Sequence, residues 1–212
     1  MKSKIFSILI IIVIIVAIAI IIIRTNSTNK KETILSDIKT AYTNLLKSTN
    51  YSYELKDYSE KNNSSMKKMV KDEKIVLDLK SLKIYGNTKT GEVYNYSVAD
   101  DAYTKFDEDS TKTYLELLKN FSNFPTIISK IMEDDVNIKD IKISEEKLNG
   151  TDCYVIHCNW IENKDDITWI DKNTMLPIKN IIKDEKGNKI SEYEYTIIFG
   201  KIQDSDVTME NN

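Results

Sequence analysis

The sequence predicts an α+β domain, an antiparallel β-meander with helices on its apolar face, preceded by one transmembrane helix. Three observations predict it. Ile5 to Ile23 is an uncharged, almost wholly apolar run. Apolar residues recur at helical spacing in two later regions. Nearly everything else alternates apolar and polar residues with period two, broken by turn signals. The expected organisation is an anchor at 1–24, a polar linker at 25–30, a domain at 31–207 and a tail at 208–212.

The anchor comes first. Lys2 and Lys4 precede the run and Arg24 closes it. Nineteen helical residues span roughly 28 Å, close to the hydrocarbon thickness of a bilayer. A cleaved signal peptide is the competing reading, since Ala17-Ile18-Ala19 has a small-x-small form. Four more Ile follow it, however, and signal cores are shorter. Basic residues flank both ends, so charge does not set the orientation. An outside domain leaves about four residues inside, too few to hold a cytosolic partner.

After the linker, Glu32 to Ser48 reads as a helix whose stripe is Ile34, Leu35, Ile38, Tyr42, Leu45 and Leu46. Strands follow. Tyr51, Tyr53 and Leu55 alternate with polar residues, as do Ile75, Leu77 and Leu79, and then Tyr94, Tyr96 and Val98. The lysines of "MKKMVKDEK" (Met66 to Lys74) read as a solvated strand edge, with an anionic-lipid contact as the alternative. Gly86-Asn87 and Thr90-Gly91 read as turns. A middle helix runs from a Ser110 cap through Asn120, with Tyr114, Leu115, Leu118 and Phe121 on one stripe. Pro125 suits the first turn of a second helix bearing Ile127, Ile128, Ile131 and Met132.

From Val136 the chain is strand again. Asn149-Gly150 is a hairpin signal. Ile167 and Trp169 share one face of a further strand, Asp171 to Thr174 turns, and Pro177 opens the return strand, where a missing N–H is tolerated at an edge or first residue. Lys186-Gly187-Asn188 turns once more into the Tyr193–Phe199 strand. Short turns between successive strands make an antiparallel meander, and the helices are the elements available to cover it.

The chemistry is sparse. His157 is the sole histidine, and it shares a strand face with Cys153, Val155 and Asn159. Cys153 and Cys158 stand on opposite faces roughly 16 Å apart, too far for a disulfide within one strand, so either a loop bends there or both thiols stay free, and pairing between molecules stays open in an oxidising exterior. Glu133-Asp134-Asp135 lacks the spacing of a calcium loop. No metal site, cofactor motif or catalytic signature is expected. The three basic residues of the anchor region aside, the chain is more acidic still than its net −3, which argues against a nucleic-acid partner.

The segments "NGTDCYVIHCNW", "TWIDKNTMLPIKNIIKDEKGN" and "YEYTIIFGKIQDSDV" resemble the C-terminal hairpins of the bacterial lipoprotein-carrier superfamily, of LolA, LppX/LprG and RseB type. The shared theme is a glycine turn, an aromatic-Ile-Asp strand, a T-x-L-P turn, a charged hairpin and a Tyr-rich strand. Met175 stands where a glycine is common. The resemblance spans about Lys31 to Val207, and together with the anchor read from the apolar run it makes the chain a membrane-anchored, Gram-positive member by expectation. It implies a curved half-barrel with helices across its concave side and an apolar cavity between, holding acyl chains of lipids or lipoproteins outside the cytoplasmic membrane. The family's lid-gripping arginine has no counterpart, since the only Arg is Arg24.

Twelve tyrosines dominate the aromatic content. Ordinary sheet packing explains them, and so does a cavity lined by amphipathic rings. The candidate lining is Tyr51, Tyr53, Leu77, Tyr94, Tyr96, Leu118, Ile128, Trp169, Tyr193 and Tyr195. The expected function is a single-pass membrane protein whose extracytoplasmic domain binds a lipid or lipoprotein acyl chain. The alternative is an interaction or sensor module acting on another cell-envelope protein. An enzyme finds no support in the residues.

Overall fold

The computed structural model describes residues 25, 27–59, 64–120, 123–160 and 164–209. The expected membrane span at 5–23 lies outside them, and no helix among the described residues is long and apolar enough to cross a membrane. Helix α1 covers 27–47. It starts ahead of Glu32, so residues 27–30 of the expected linker are already helical. Side chains tie this first turn down. Lys30 Nζ meets Glu145 at 2.7 Å, and Lys31 Nζ donates to the Ile141 carbonyl at 2.8 Å. Lys172 and Lys30 together hold the Glu145 carboxyl down at about 2.

Six strands follow: β1 (Asn50–Asp57), β2 (Ser64–Lys71), β3 (Lys74–Asp78), β4 (Leu82–Asn87), β5 (Glu92–Ser97) and β6 (Ala102–Lys105). Helices α2 (Glu108–Asn120) and α3 (Thr126–Met132) come next, then β7 (Ile141–Leu148), β8 (Thr151–Cys158), β9 (Lys164–Asp171), β10 (Pro177–Asp184) and β11 (Lys189–Phe199). All eleven form one open antiparallel sheet in the order β6-β5-β4-β3-β2-β1-β11-β10-β9-β8-β7. The first six strands step outward from β1. The helical segment connects one edge to the other, and β7 to β11 step back until β11 pairs with β1, Leu55 opposite Tyr195.

Period-two alternation gives this sheet two distinct faces. The inner face carries the main core, where Ile38 and Leu45 of α1, Leu118 of α2, and Ile127 and Ile128 of α3 pack with Tyr53, Leu77, Ile156 and Ile170. Burial of these side chains against water drives the assembly. Leu46, expected on the α1 stripe, is exposed instead, and Phe121 lies outside the described residues. The outer face has a smaller cluster, in which Ile202 and Val207 cover Met69 and Val76.

Local readings change in four places. Strand β2 is interior, between β1 and β3, so its lysines are no sheet edge, and Lys68 is buried. Gly86 lies inside β4 rather than at a turn. A Cβ there would stand 2.6 Å from Leu118 Cδ1, so the glycine lets α2 settle on the sheet. The α2 cap is Asp107, whose Oδ1 accepts from the Ser110 N–H at 2.8 Å. Pro177 is the first residue of β10 and is buried between β9 and β11 beside a register shift. The strand tolerates it by position, not by lying at an edge. Met175 has φ 56°, the left-handed backbone that glycine adopts most readily.

Candidate binding site

Near the middle of the inner face the sheet and helices enclose an aromatic cluster. Phe124, between α2 and α3, inserts its ring against Tyr53 at 4.7 Å, Tyr42 of α1 at 4.8 Å and Tyr195 at 6.2 Å. Such distances suit edge-to-face and offset ring contacts. Tyr53 Oη donates to the Asn123 carbonyl at 2.9 Å, fastening the same loop. Burial pushes the Tyr51 phenol up to about 12 and drives Tyr53 and Tyr195 well above their ordinary value. These rings are packing surfaces with their hydroxyl protons held.

A groove of about 270 Å³ opens between α1 and α3, with Glu32, Ser36, Lys39 and Asp134 as its polar lining. Leu35, Ile131, Val136 and Ile138 supply its apolar lining, and Leu35 and Ile131 also belong to the core. Lys39 Nζ and Asp134 Oδ1, 2.5 Å apart, pair α1 with the end of α3 at the rim. Both side chains are solvated, and such pairs contribute at most about 1 kcal/mol. The groove is therefore lightly latched over a continuous apolar interior.

Two charged side chains are buried on the inner face. Lys68 of β2 is 3% exposed, and its Nζ donates to the Lys119 carbonyl at 3.0 Å. That carbonyl lies in the last turn of α2, where the helix dipole favours a cation. Burial lowers the ammonium to about 8. Asp166 of β9 is 1% exposed and lies beside Thr168 and Asn180, both also buried. Asn180 Nδ2 donates to Asp166 Oδ1, to Thr168 Oγ1 at 3.0 Å and to the Ile167 carbonyl at 3.2 Å. Burial raises the Asp166 carboxyl above its ordinary value. Sequence reading missed both charges. The period-two pattern that places Tyr53 inward, carried across the β1–β2 hairpin to Lys68, is the signal that could have found the first.

Seven of the ten expected lining residues come together here. Tyr51, Tyr53, Leu77, Leu118, Ile128 and Tyr195 are buried in the inner core, and Tyr193 packs partly buried against it. Tyr94, Tyr96 and Trp169 do not join them. In β5 the inward residues are Val93 and Asn95, opposite Gly86 and Ile84, so parity sends both tyrosines to the outer face. There Lys105 Nζ stands 5.5 Å above the Tyr94 ring, and Tyr96 Oη donates to Asp101 at 2.7 Å. Trp169 is outward because Thr168 and Ile170 are inward, and its indole N–H donates to Glu146. Choosing the largest side chain as the inward one fails where the outer face offers rings a polar partner.

The outer face also has a groove of about 750 Å³ lined by Lys142, His157, Asp165 and Lys183 among others. His157 Nδ1 lies 3.7 Å from Asp165 Oδ1, too far for a hydrogen bond. Cys153 and Cys158 are free and buried. Burial pushes the Cys153 thiol up and Cys158 to about 12, the reverse of what a nucleophilic cysteine needs. Among the described residues no group of three potential ligands could hold a metal ion.

No protein-family model and no curated protein matches the sequence. Solved structures do resemble the fold. The chain is similar to one in the MucA/MucB complex of Pseudomonas aeruginosa, at 11% identity and a TM-score of 0.48, over 85% of this chain and 61% of that one. It is also similar to the Mycobacterium tuberculosis lipoprotein LppX, at 9% identity and a TM-score of 0.43, over 82% and 98% of the two chains. A LolA superfamily protein from Nitrosomonas europaea matches at 8% identity and a TM-score of 0.27, over 84% and 97%.

Proposed function

We propose that this is a membrane-anchored, extracytoplasmic protein that takes a hydrophobic ligand, a lipid or lipoprotein acyl chain, between a half-barrel sheet and its helices. The observation that carries the reading is Phe124 seated among Tyr42, Tyr53 and Tyr195, in the same core as Leu35 and Ile131, which line the groove between α1 and α3. The ring fills the hollow in the ligand's stead. An acyl chain enters along Leu35 and Ile131, parts the Lys39–Asp134 pair, and replaces Phe124 against the tyrosines. The uncharged run at 5–23 tethers the domain to the bilayer from which such ligands come.

The test is lipid extraction and mass spectrometry of residues 25–212 produced without the anchor. Co-purifying acyl lipid, or uptake of added fatty acid at about one per chain, is expected. Neither, at saturating lipid, would overturn the reading. A second reading, a module that docks another cell-envelope protein, is favoured by the nearly complete burial of the inner face. It predicts a partner recovered by crosslinking and no lipid.

A further inference from the structure

Asp166 is tied into the inner face on one oxygen and not on the other. Asn180 Nδ2 donates to Oδ1, and Thr168 Oγ1 lies 3.4 Å from that same oxygen. Oδ2 is buried and has no hydrogen-bond partner among the described residues. A buried polar atom left unpaired is costly to a fold and needs a reason. The carboxyl is also rigidly held. Asn180 is braced by Thr168 and the Ile167 carbonyl, and all three side chains stand on paired strands, the setting that keeps a recognition group in place.

A cross-strand row runs from Asp166 toward the chain segment that borders the α1–α3 groove. Strand register puts Ile141, Cys158 and Asp166 opposite one another in a single cross-strand row. Two strand spacings, about 10 Å, separate Asp166 from Ile141. Ile141 lies just beyond Ile138, which lines the groove. Ile141 and Cys158 are buried in the core, and the thiol is protonated. The two side chains of this row ahead of the carboxyl are uncharged, and the Lys31 ammonium sits on the Ile141 carbonyl at the groove end.

We propose that Asp166, oriented by Asn180 and Thr168, is the headgroup acceptor of the site and selects amphiphiles whose polar end carries a hydrogen-bond donor, such as an acylglycerol hydroxyl. This rests on the hydrophobic-ligand reading and adds the ligand's chemical class. The donor satisfies Oδ2, and the ionised carboxyl, disfavoured by burial, is stabilised by accepting it. A site built around a buried acceptor rejects the analogue lacking the donor, because the acceptor then stays unpaired.

The experiment uses the full chain held in amphipol, with 1-monooleoylglycerol or methyl oleate added and bound lipid counted by native mass spectrometry. The two lipids share the oleoyl ester and differ in the glycerol hydroxyls. Wild type is expected to bind 1-monooleoylglycerol about tenfold or more tightly than methyl oleate, the effect of one hydrogen bond to a charged group. Asp166→Asn, nearly isosteric, replaces the charged acceptor by an N–H₂ that can only donate to the hydroxyl oxygen, and is expected to reduce that preference while methyl oleate binding stays. Equal binding in wild type, which needs no variant to fold, would overturn the proposal, as would a preference that Asp166→Asn leaves undiminished. Binding of neither lipid would remove the hydrophobic-ligand reading itself, a distinguishable result.

Discussion

Lys68 and Asp166 are both buried charges on the inner face, one in each half of the sheet, yet the protein treats them differently. Lys68 reaches a helix. Its ammonium meets the Lys119 carbonyl in the last turn of α2, so it ties a covering element to the strands. Among the described residues Asp166 reaches only strand residues, Asn180 and Thr168, and keeps Oδ2 unpaired. The first charge does structural work that offsets part of its desolvation. The second adds little to the fold and is what a ligand can use. A buried charge therefore says little until its partners are traced to the elements they belong to.

That contrast can be broken at either end. The largest effect is expected at Lys68. Lys68→Ala loses both the tie and the buried stem and should cost about 2–4 kcal/mol in urea unfolding, whereas Lys68→Met keeps most of the packing and should cost clearly less. The ammonium is lowered from 10.5 to about 8, so between those values the unfolded chain binds more protons. Wild type should accordingly gain stability over Lys68→Met as pH rises from about 8 to 10.5, by up to about 3 kcal/mol. A flat difference would mean that Lys68 is solvated.

Phe124→Ala should come next, costing about 2–3 kcal/mol for a half-buried ring while making acyl-ligand uptake faster. Slower uptake would show that Phe124 is part of the site's floor and not its plug. Asp166→Asn should change stability in the opposite direction from Lys68→Ala. The folded pKa of Asp166 is raised above 3.8, so the stability tied to it is fully present below that value and lost as pH rises through the raised one. Asp166→Asn should therefore be about 1–2 kcal/mol more stable than wild type at pH 7, with the gain fading toward pH 4. The smallest effect belongs to Lys39→Ala. Cutting the rim pair should move stability by less than about 1 kcal/mol but raise hydrogen exchange in α3.

Much of this architecture was legible in the sequence because its signals are local. Asn149-Gly150 makes the β7–β8 turn, with φ of 50° and 89°. The Ile34–Leu45 stripe faces the core, and Ile127, Ile128 and Ile131 are buried in α3. What escaped depends on long-range pairing. β4 and β6 went unread, since "AYTK" is short and Gly86, inside "LKIYGN", has the look of a turn until Leu118 is known to sit above it. Lys68 reads as surface until β2 is known to be interior. The inward parity of β5 and β9 is fixed by neighbours across the sheet, which is why Tyr94, Tyr96 and Trp169 were placed on the wrong face. Phe124 carries no periodic signal, and its role follows from three rings distant in sequence.

Photo-crosslinking with a diazirine-bearing fatty acid, followed by peptide mapping, locates a bound acyl chain on one face or the other. Labels are expected on the inner-face peptides that hold Tyr53, Phe124, Ile128 and Tyr195, competed away by unlabelled acyl lipid. Labels confined to the outer-face residues Tyr94, Tyr96 and Trp169, or none that acyl lipid displaces, would contradict the proposed inner-face site.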